Sequence, residues 1–483
     1  MSDLVAEGWP VVLAGLALII AVVASAHAVL RKRDVRAAIG WVGLIWLVPF
    51  VGSALYGLFG INRIRRRASE LKLQRPHSRL PGIASRSTRP ILASALPESD
   101  RHLSAIGDLV DAMSTLSLTS GNAITPLVGG EAAFGDMIRA IDEAAHTVGM
   151  ATYLFDNDHA GKLFAAALER AVDRGVAVRL LIDGVGARYS YPPMTAKLRR
   201  RGVPIAEFLP TFVPLHMHYA NLRNHRKILV VDGRIGFTGG MNIRGSYLTG
   251  RKSYHADLDT HFRLDGPVVA HLVDTFVEDW AFCTREYLGG NGWFPEPALV
   301  GDAVARGIAA GPDEDIERIR WVILGALSQA QEQVRIVTPY FLPDQTLITS
   351  LVMTSMRGVQ VDILIPERNN LKLVEWASRT QLWQLLSRGC RIWCTPPPFD
   401  HSKLMTVDGA WTLIGSANWD QRSLRLNFEF NVEVYDRGLT AVLDNLIDAK
   451  QVKSKPITLE RVNGRSLPVK LRDGAAWLMS PYL

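Results

Sequence analysis

The sequence predicts an α/β protein of two similar halves. Each half carries a mixed sheet, the two pack into one bilobal catalytic unit, and an N-terminal hydrophobic helical hairpin precedes them. Three observations predict this. The order helix, strand, helix, strand recurs along the chain. The pattern His-x-Lys-x-x-x-x-Asp occurs twice, as His225, Lys227, Asp232 and as His401, Lys403, Asp408, each followed by a Gly (Gly239, Gly415) and an Asn (Asn242, Asn418) at matching spacing. Two long uncharged stretches open the chain.

At 483 residues the chain has room for two or three domains. The expected division is a membrane anchor over 1–67, a linker with short helices over 68–120, a first half over 121–300 and a second over 301–483. Val11 to Leu30 and Ala37 to Ile61 contain no Asp, Glu, Lys or Arg. Each is long enough to cross a hydrocarbon core of ~30 Å at ~1.5 Å per helical residue. A cleaved signal peptide is rejected, because the basic leading region is missing and a second apolar stretch follows at once.

Arg31, Lys32, Arg33 and Arg36 follow the first stretch, and Arg63, Arg65, Arg66 and Arg67 follow the second. Both clusters favour the cytoplasmic side, which two full crossings forbid. Either one cluster is overruled, or the second stretch, broken by Pro49 and Gly52, dips in without spanning. Trp9, Trp41, Trp46 and Tyr56 are candidates for the membrane interfaces. Residues 68–120 are rich in Pro, Ser, Arg and Leu, with helical pieces around Leu103 to Leu118.

The halves then run in parallel. In the first, Met137, Ile138, Ile141, Ala144 and Ala145 have helical spacing, and Val148 to Phe155 reads as a strand. A helix over Leu163 to Ala171 and a strand over Val176 to Ile182 follow. The second half repeats this as helix Ile319 to Ala330, strand Val334 to Tyr340, helix Leu347 to Met356 and strand Val359 to Ile365. Arg-Gly pairs punctuate both halves, at Arg174-Gly175, Arg201-Gly202, Arg357-Gly358 and Arg388-Gly389.

The motif itself reads as a hairpin. Lys227 to Asp232 is an apolar strand ending on Asp232-Gly233, a two-residue turn signal repeated at Asp408-Gly409. A two-residue turn pairs Val231 with Arg234 and sets His225 opposite Gly240 and His401 opposite Ser416. His and Lys, two apart, share one face, and the returning strand brings the Asn alongside.

Such a set suits a phosphodiester. Lys supplies charge, the Asn amide donates to phosphate oxygen, and glycine lets the phosphate approach the backbone. One imidazole can attack phosphorus while the other, protonated, donates to the leaving alcohol. The candidate catalytic set is therefore His225, Lys227, Asp232, His401, Lys403 and Asp408, with the two aspartates given a structural role because they fall in the turns. The candidate phosphate-binding set is Lys227, Asn242, Lys403, Ser416 and Asn418. Each imidazole needs a carboxylate on its other nitrogen. Asp259 and Glu429 are the candidates, at equivalent places that also pair His261 with Asn431; Asp257 competes with Asp259.

The net charge of +7 and pI near 9.3 favour anionic lipid over nucleic acid once apolar stretches are present. Three cysteines, Cys283, Cys390 and Cys394, give no disulfide framework, and Cys390 and Cys394 lack the companions of a zinc site. They are compatible with a reducing, cytoplasmic-facing catalytic portion.

The duplicated motif resembles the phospholipase D superfamily, and more closely the membrane-anchored bacterial cardiolipin synthases. The resemblance includes Ala38-Ile39-Gly40-Trp41, Val48-Pro49-Phe50-Val51-Gly52, Arg223-Asn224-His225-Arg226-Lys227, Gly239-Gly240-Met241-Asn242 and Pro339-Tyr340-Phe341. It continues through Gly415-Ser416-Ala417-Asn418, Asp420-Gln421-Arg422-Ser423, Asn427-Phe428-Glu429 and the ending Ser480-Pro481-Tyr482-Leu483. It implies transphosphatidylation in two steps at a bacterial inner membrane, without metal or cofactor, from two phosphatidylglycerols to cardiolipin and glycerol. By analogy His225 is the nucleophile and His401 the acid and base, although the near-symmetry permits the reverse. Phosphatidylethanolamine is an alternative partner lipid, and hydrolysis to phosphatidic acid an alternative reaction. Asp400 departs from the family pattern, which has an apolar residue there, and is read as facing solvent.

Overall fold

A computed structural model describes residues 2–32, 35–60, 88–210, 222–248, 256–312 and 317–480. Arg33, the cluster at Arg63 to Arg67, linker residues 68–87 and the terminal Pro481-Tyr482-Leu483 lie outside the described residues. Contacts divide the chain into two compact units. One holds the described residues 2–60; the other holds the described residues from 88 onward.

In the first unit the opening stretch is one helix, Ser2–Arg31, and Val11–Arg31 within it is long and apolar enough to cross a membrane. The second stretch is interrupted. Its helix Val35–Leu47 has 13 residues, about 20 Å at the helical rise, short of the ~30 Å hydrocarbon core. A new helix, Pro49–Leu55, starts at the proline, and a Cβ at Gly52 would collide with the Leu44 carbonyl. Tyr56, a candidate for an interface, is buried among the helices of this unit. Its hydroxyl lies 2.7 Å from His27 Nδ1, and its ring meets Trp41 edge-on. A polar tip removed from water needs such a partner.

The second unit has nineteen strands among the described residues, fifteen of them in one sheet and the other four in two two-stranded pairs. The first half supplies β1 (Thr119–Val128), β2 (Thr147–Thr152), β3 (Ala177–Asp183), β4 (Ile205–Phe208), β5 (Ile228–Val231), β6 (Ile235–Gly239), β7 (Asp257–Leu258) and β8 (Thr260–Asp265). The second supplies β9 (Ala303–Ala310), β10 (Gln333–Val337), β11 (Phe341–Leu342), β12 (Gln360–Pro366), β13 (Arg391–Thr395), β14 (Phe399–Asp400), β15 (Leu404–Val407), β16 (Trp411–Gly415), β17 (Trp419–Asp420), β18 (Glu429–Tyr435) and β19 (Lys455–Ile457). The order β1-β8-β6-β5-β2-β3-β4 is matched by β9-β18-β16-β15-β10-β12-β13, with β19 at the far edge. β1 pairs with β9 antiparallel, so the two half-sheets are continuous.

β2-β3-β4 and β10-β12-β13 are parallel, and the other pairings of the large sheet are antiparallel. Both faces are covered, which is why the strands read as apolar runs such as Ile228-Leu229-Val230-Val231 rather than as alternation. Helices Gly130–Glu143 and His159–Asp173 bury Phe134, Met137, Phe164 and Leu168 against β2 and β3. Helices Arg318–Gln329 and Gln345–Met356 do the same with Ile319, Val322, Leu347 and Leu351 in the second half. Each such side chain contributes roughly 1.5–3 kcal/mol on burial. The helices Thr88–Ala95 and Ser104–Asp111 add Leu92, Ile106 and Val110 to the second core.

Two differences from the sequence-based expectation matter for the site. The strands expected to reach Phe155 and Tyr340 end at Thr152 and Val337, which frees the following residues to approach the histidines. The motif hairpin is also one residue longer than expected. Val231 pairs with Ile235 and Val407 with Trp411, after turns in which Asp232 and Asp408 take φ of 50° and 49° and the following glycines 62° and 63°.

Candidate active site

The left-handed conformation of the two aspartates aims their carboxylates back at the sheet. Asp232 accepts from the backbone N–H of Ala145, His146 and Thr147 at 2.7 to 2.9 Å. Asp408 accepts from those of Gln331, Glu332 and Gln333 at 2.8 to 2.9 Å, and its Oδ2 lies 2.8 Å from His102 Nε2. Both therefore close the start of β2 or β10. As expected of turn residues, they hold backbone, at the opposite end of β5 and β15 from the histidines.

At the other end the halves exchange partners. His225 N donates to Phe428 O at 2.8 Å, and Nδ1 of the same residue lies 3.1 Å from Glu429 Oε2. His401 N donates to Leu258 O at 2.6 Å, and its Nδ1 lies 3.1 Å from Asp259 Oδ2. β14 pairs with β7 to set the second contact, and an isolated bridge from Asn224 to Phe428 sets the first. Each imidazole is thus held by a carboxylate from the opposite half. The registers Gly239–His261 and Gly415–Asn431 make Asp259 and Glu429 equivalent.

The lysines share this region. Lys227 Nζ donates to His225 O at 2.7 Å, and Lys403 Nζ donates to His401 O at 2.6 Å and lies 3.0 Å from its Nδ1. Asn242 Oδ1 accepts from Leu154 N at 3.2 Å, which leaves its NH2 without a protein partner among the described residues. Asn418 differs: its Nδ2 donates to Ser423 Oγ at 3.1 Å, and its buried Oδ1 has no partner among the described residues. Ser416, expected at phosphate, is fully buried and donates to Glu429 Oε2 at 2.5 Å, so its hydroxyl serves the carboxylate. Gly240, its counterpart, is crowded by Asp259 and the His401 carbonyl, and a Cβ there would collide with them. Glycine here makes room for the neighbouring half.

Asp400, expected in solvent, is buried. It pairs with Lys450 and accepts from Ser402 N and Oγ at 3.1 and 2.7 Å. In the first half Asn224 and Arg226 occupy the matching places and bond Asp279 at 2.9 and 2.5 Å. Asp279 lies on helix Val269–Thr284 and Lys450 on Arg437–Val452. The two clamps have opposite charge polarity: carboxylate on the helix in one, cation on the helix in the other. Strand alternation carries the signal for these residues, since 224, 226, 400 and 402 must face away from His and Lys. Buried polar groups there demand partners. Tyr247 carried no such signal; its hydroxyl lies 3.3 Å from His401 Nδ1.

Burial governs the electrostatics. It depresses both histidines well below their ordinary value, with the neighbouring lysines adding to the effect. Burial also pushes Lys227 down to about 7 and Lys403 down to about 8. It raises Asp259 to about 8 and Glu429 to about 7. Burial raises Asp400 too, but Lys450 and Ser402 outweigh it and hold that carboxyl below its ordinary range. The arrangement is a buried site of two cations and two imidazole–carboxylate pairs, fit to receive an anion and to pass protons.

Comparison with known proteins places this geometry. Residues 137–280 and 323–450, one segment in each half, match the family described as cardiolipin synthase, PLD-like domain. Residues 19–60 match phospholipase D-nuclease N-terminal. The chain is 30% identical over 459 residues to cardiolipin synthase 2 of Staphylococcus epidermidis, covering 94% of each. It is 31% identical over 483 residues to cardiolipin synthase A of Pseudomonas putida, covering 98% of this chain and 97% of the relative. Phosphatidylserine synthase of Haemophilus influenzae Rd KW20 shares the fold, with a TM-score of 0.61 at 16% identity over 78% of this chain and 100% of that one. The apolar N-terminal helix and these relatives make the chain membrane-associated. The chain belongs to the cardiolipin synthase family of phospholipase D-like enzymes.

Proposed function

We propose that this chain is a phosphatidyltransferase that converts two phosphatidylglycerols into cardiolipin and glycerol at a bacterial inner membrane, with its catalytic unit on the cytoplasmic side. The observation that carries the reading is the pair of imidazole–carboxylate couples, one from each half, around two buried lysines. Names of relatives 30–31% identical over nearly the whole chain support the lipid product.

Lys227 and Lys403 receive the phosphodiester anion, and its charge restores theirs. The Asn242 NH2 and the second N–H of Asn418 donate to phosphate oxygens. With Nδ1 held by Glu429, Nε2 of His225 attacks phosphorus. The bond to glycerol breaks, and its oxygen takes a proton from the His401–Asp259 couple. A phosphatidyl-histidine remains. The same couple then removes the proton from a hydroxyl of the second phosphatidylglycerol, whose oxygen attacks phosphorus and releases His225.

The direction is the one the family resemblance implies, with His225 as the nucleophile. Burial raises both Asp259 and Glu429, so each carboxylate can share a proton with its imidazole near neutrality. Ser416 positions Glu429, and Asp232 and Asp408 hold the hairpins. Purified full-length chain with phosphatidylglycerol vesicles, followed by mass spectrometry, tests this. Cardiolipin and glycerol in equal amounts are expected; phosphatidic acid without cardiolipin contradicts the reading in favour of hydrolysis.

A further inference from the structure

The edge of the sheet that holds the histidines also carries exposed apolar side chains. This edge is the C-terminal end of β2, β3, β10 and β12, because His225 and His401 precede β5 and β15, which run antiparallel to β2 and β10. Following β3, the first half presents Tyr189 and Tyr191, the latter 97% exposed. Following β12, the second half presents exposed Leu371 and Leu373. Helix Lys372–Arg379 starts there and packs against the C-terminal helix Leu467–Leu478 through Ala377, Ala476 and Leu342, with the Arg472 guanidinium 4.5 Å above the Trp376 ring.

That last helix is inverted in polarity. Asp473 and Ala476 face inward, while Leu467, Leu471 and Leu478, at i, i+4 and i+11, form an outward stripe. Leu471 is 65% and Leu478 72% exposed. Lys470 is exposed beside the stripe and Arg368 beside Leu371, and exposed Arg472 and Lys372 stand there paired with Asp473 and Glu375. The surface is continuous with the site. Asn370, next to Leu371, accepts from Tyr340 OH at 2.8 Å, and the Tyr340 ring lies 6.0 Å from that of His401.

We propose that this face of the catalytic unit lies on an anionic bilayer surface, with the leucines at the headgroup–acyl boundary and the tyrosines among the headgroups. An apolar stripe rimmed by cations is the chemistry of an interfacial helix. A second copy is a poorer occupant, since a two-fold contact would set this cationic rim against itself. The inference goes beyond the catalytic reading and does not depend on which lipid reacts.

The test uses full-length chain with Cys283→Ser, Cys390→Ala and Cys394→Ser, and one new cysteine at Leu471, Leu373 or Leu299, labelled with an environment-sensitive fluorophore. Exposed Leu299 precedes β9, whose far end, Ala310, is the end paired with Glu429, so it marks the opposite edge of the sheet. In vesicles of phosphatidylglycerol and phosphatidylcholine, iodide quenching is expected to fall several-fold at positions 471 and 373 but not at 299. Pure phosphatidylcholine is expected to give weaker protection. Equal quenching at 471 and 299 overturns the proposal. Protection in detergent that grows with protein concentration also overturns it, in favour of a second copy. Hydrogen exchange on the unaltered chain probes the same surface without the substitutions: the amides of 371–373 and 467–479 slow on the anionic bilayer, or the proposal fails. Neither readout requires turnover, so each stands apart from the catalytic assignment.

Discussion

His225 takes its carboxylate from the other half of the chain: Glu429, 204 residues further on, lies 3.1 Å from its Nδ1. Asp259 returns the arrangement to His401 at the same distance. Neither half therefore holds a complete imidazole–carboxylate couple, and the single continuous sheet is what brings the two couples together.

The two couples set the pH dependence. Below about 7 the Glu429 couple takes up a proton and His225 loses its free nitrogen, so the rate falls on the acid side. On the alkaline side Lys227 loses its charge from about 7, and near 8 the Asp259 couple loses the proton that the leaving glycerol needs and Lys403 loses its charge. A bell-shaped kcat/KM profile with its maximum between these values is expected from initial rates across about pH 5 to 10. A profile flat from about 6 to 9 would remove the proton-transfer roles.

Ser416 lowers the Glu429 pKa through its hydrogen bond. Ser416→Gly, which copies Gly240 of the first half, should raise that pKa and move the acid limb to higher pH. The alkaline limb should stay in place. A direct phosphate contact by Ser416 would instead raise KM with both limbs unmoved.

Asp400 raises the pKa of Asp259 and of Lys403. Asp400→Asn should therefore shift the alkaline limb toward neutrality, the sign expected when a nearby negative charge is removed. The double variant Asp400→Asn, Lys450→Asp imitates the Asn224–Asp279 pairing of the first half and should recover stability lost in the single variant. Differential scanning calorimetry and the pH profile together check this.

Asp232→Ala removes the acceptor of three backbone N–H groups. Those of Ala145 and His146 lie near solvent and rehydrate, so the expected cost is about 1–2 kcal/mol. The melting temperature should fall while kcat of the folded enzyme is kept. A loss of kcat without a loss of stability would return Asp232 to the chemistry.

Much of this was legible in the residues. The repeated motif, the apolar strands and the paired carboxylates at 259 and 429 follow from spacing and alternation, which are local. Partner exchange was not legible, because a strand's period says which face a side chain takes and nothing about which half it meets. The burial of Asp400 was hidden for a related reason: its partner Lys450 lies 50 residues away on a helix packed beneath the sheet. The hairpin register differs by one because Asp-Gly also suits the longer turn, in which the aspartate carboxylate is tied to a neighbouring strand. The break in the second apolar stretch was visible as Pro49 and Gly52; the His27–Tyr56 contact across it was not.

The most direct test of the central claim is the site of the covalent intermediate and its dependence on the opposite half. Rapid acid-free quenching of enzyme with short-chain phosphatidylglycerol, then peptide mass spectrometry, should find the phosphatidyl group on His225. Glu429→Gln should slow its formation by about 10²–10⁴-fold, and Asp259→Asn should impair both proton transfers at His401. An adduct on His401, or one on His225 that forms at full rate in Glu429→Gln, would contradict the account.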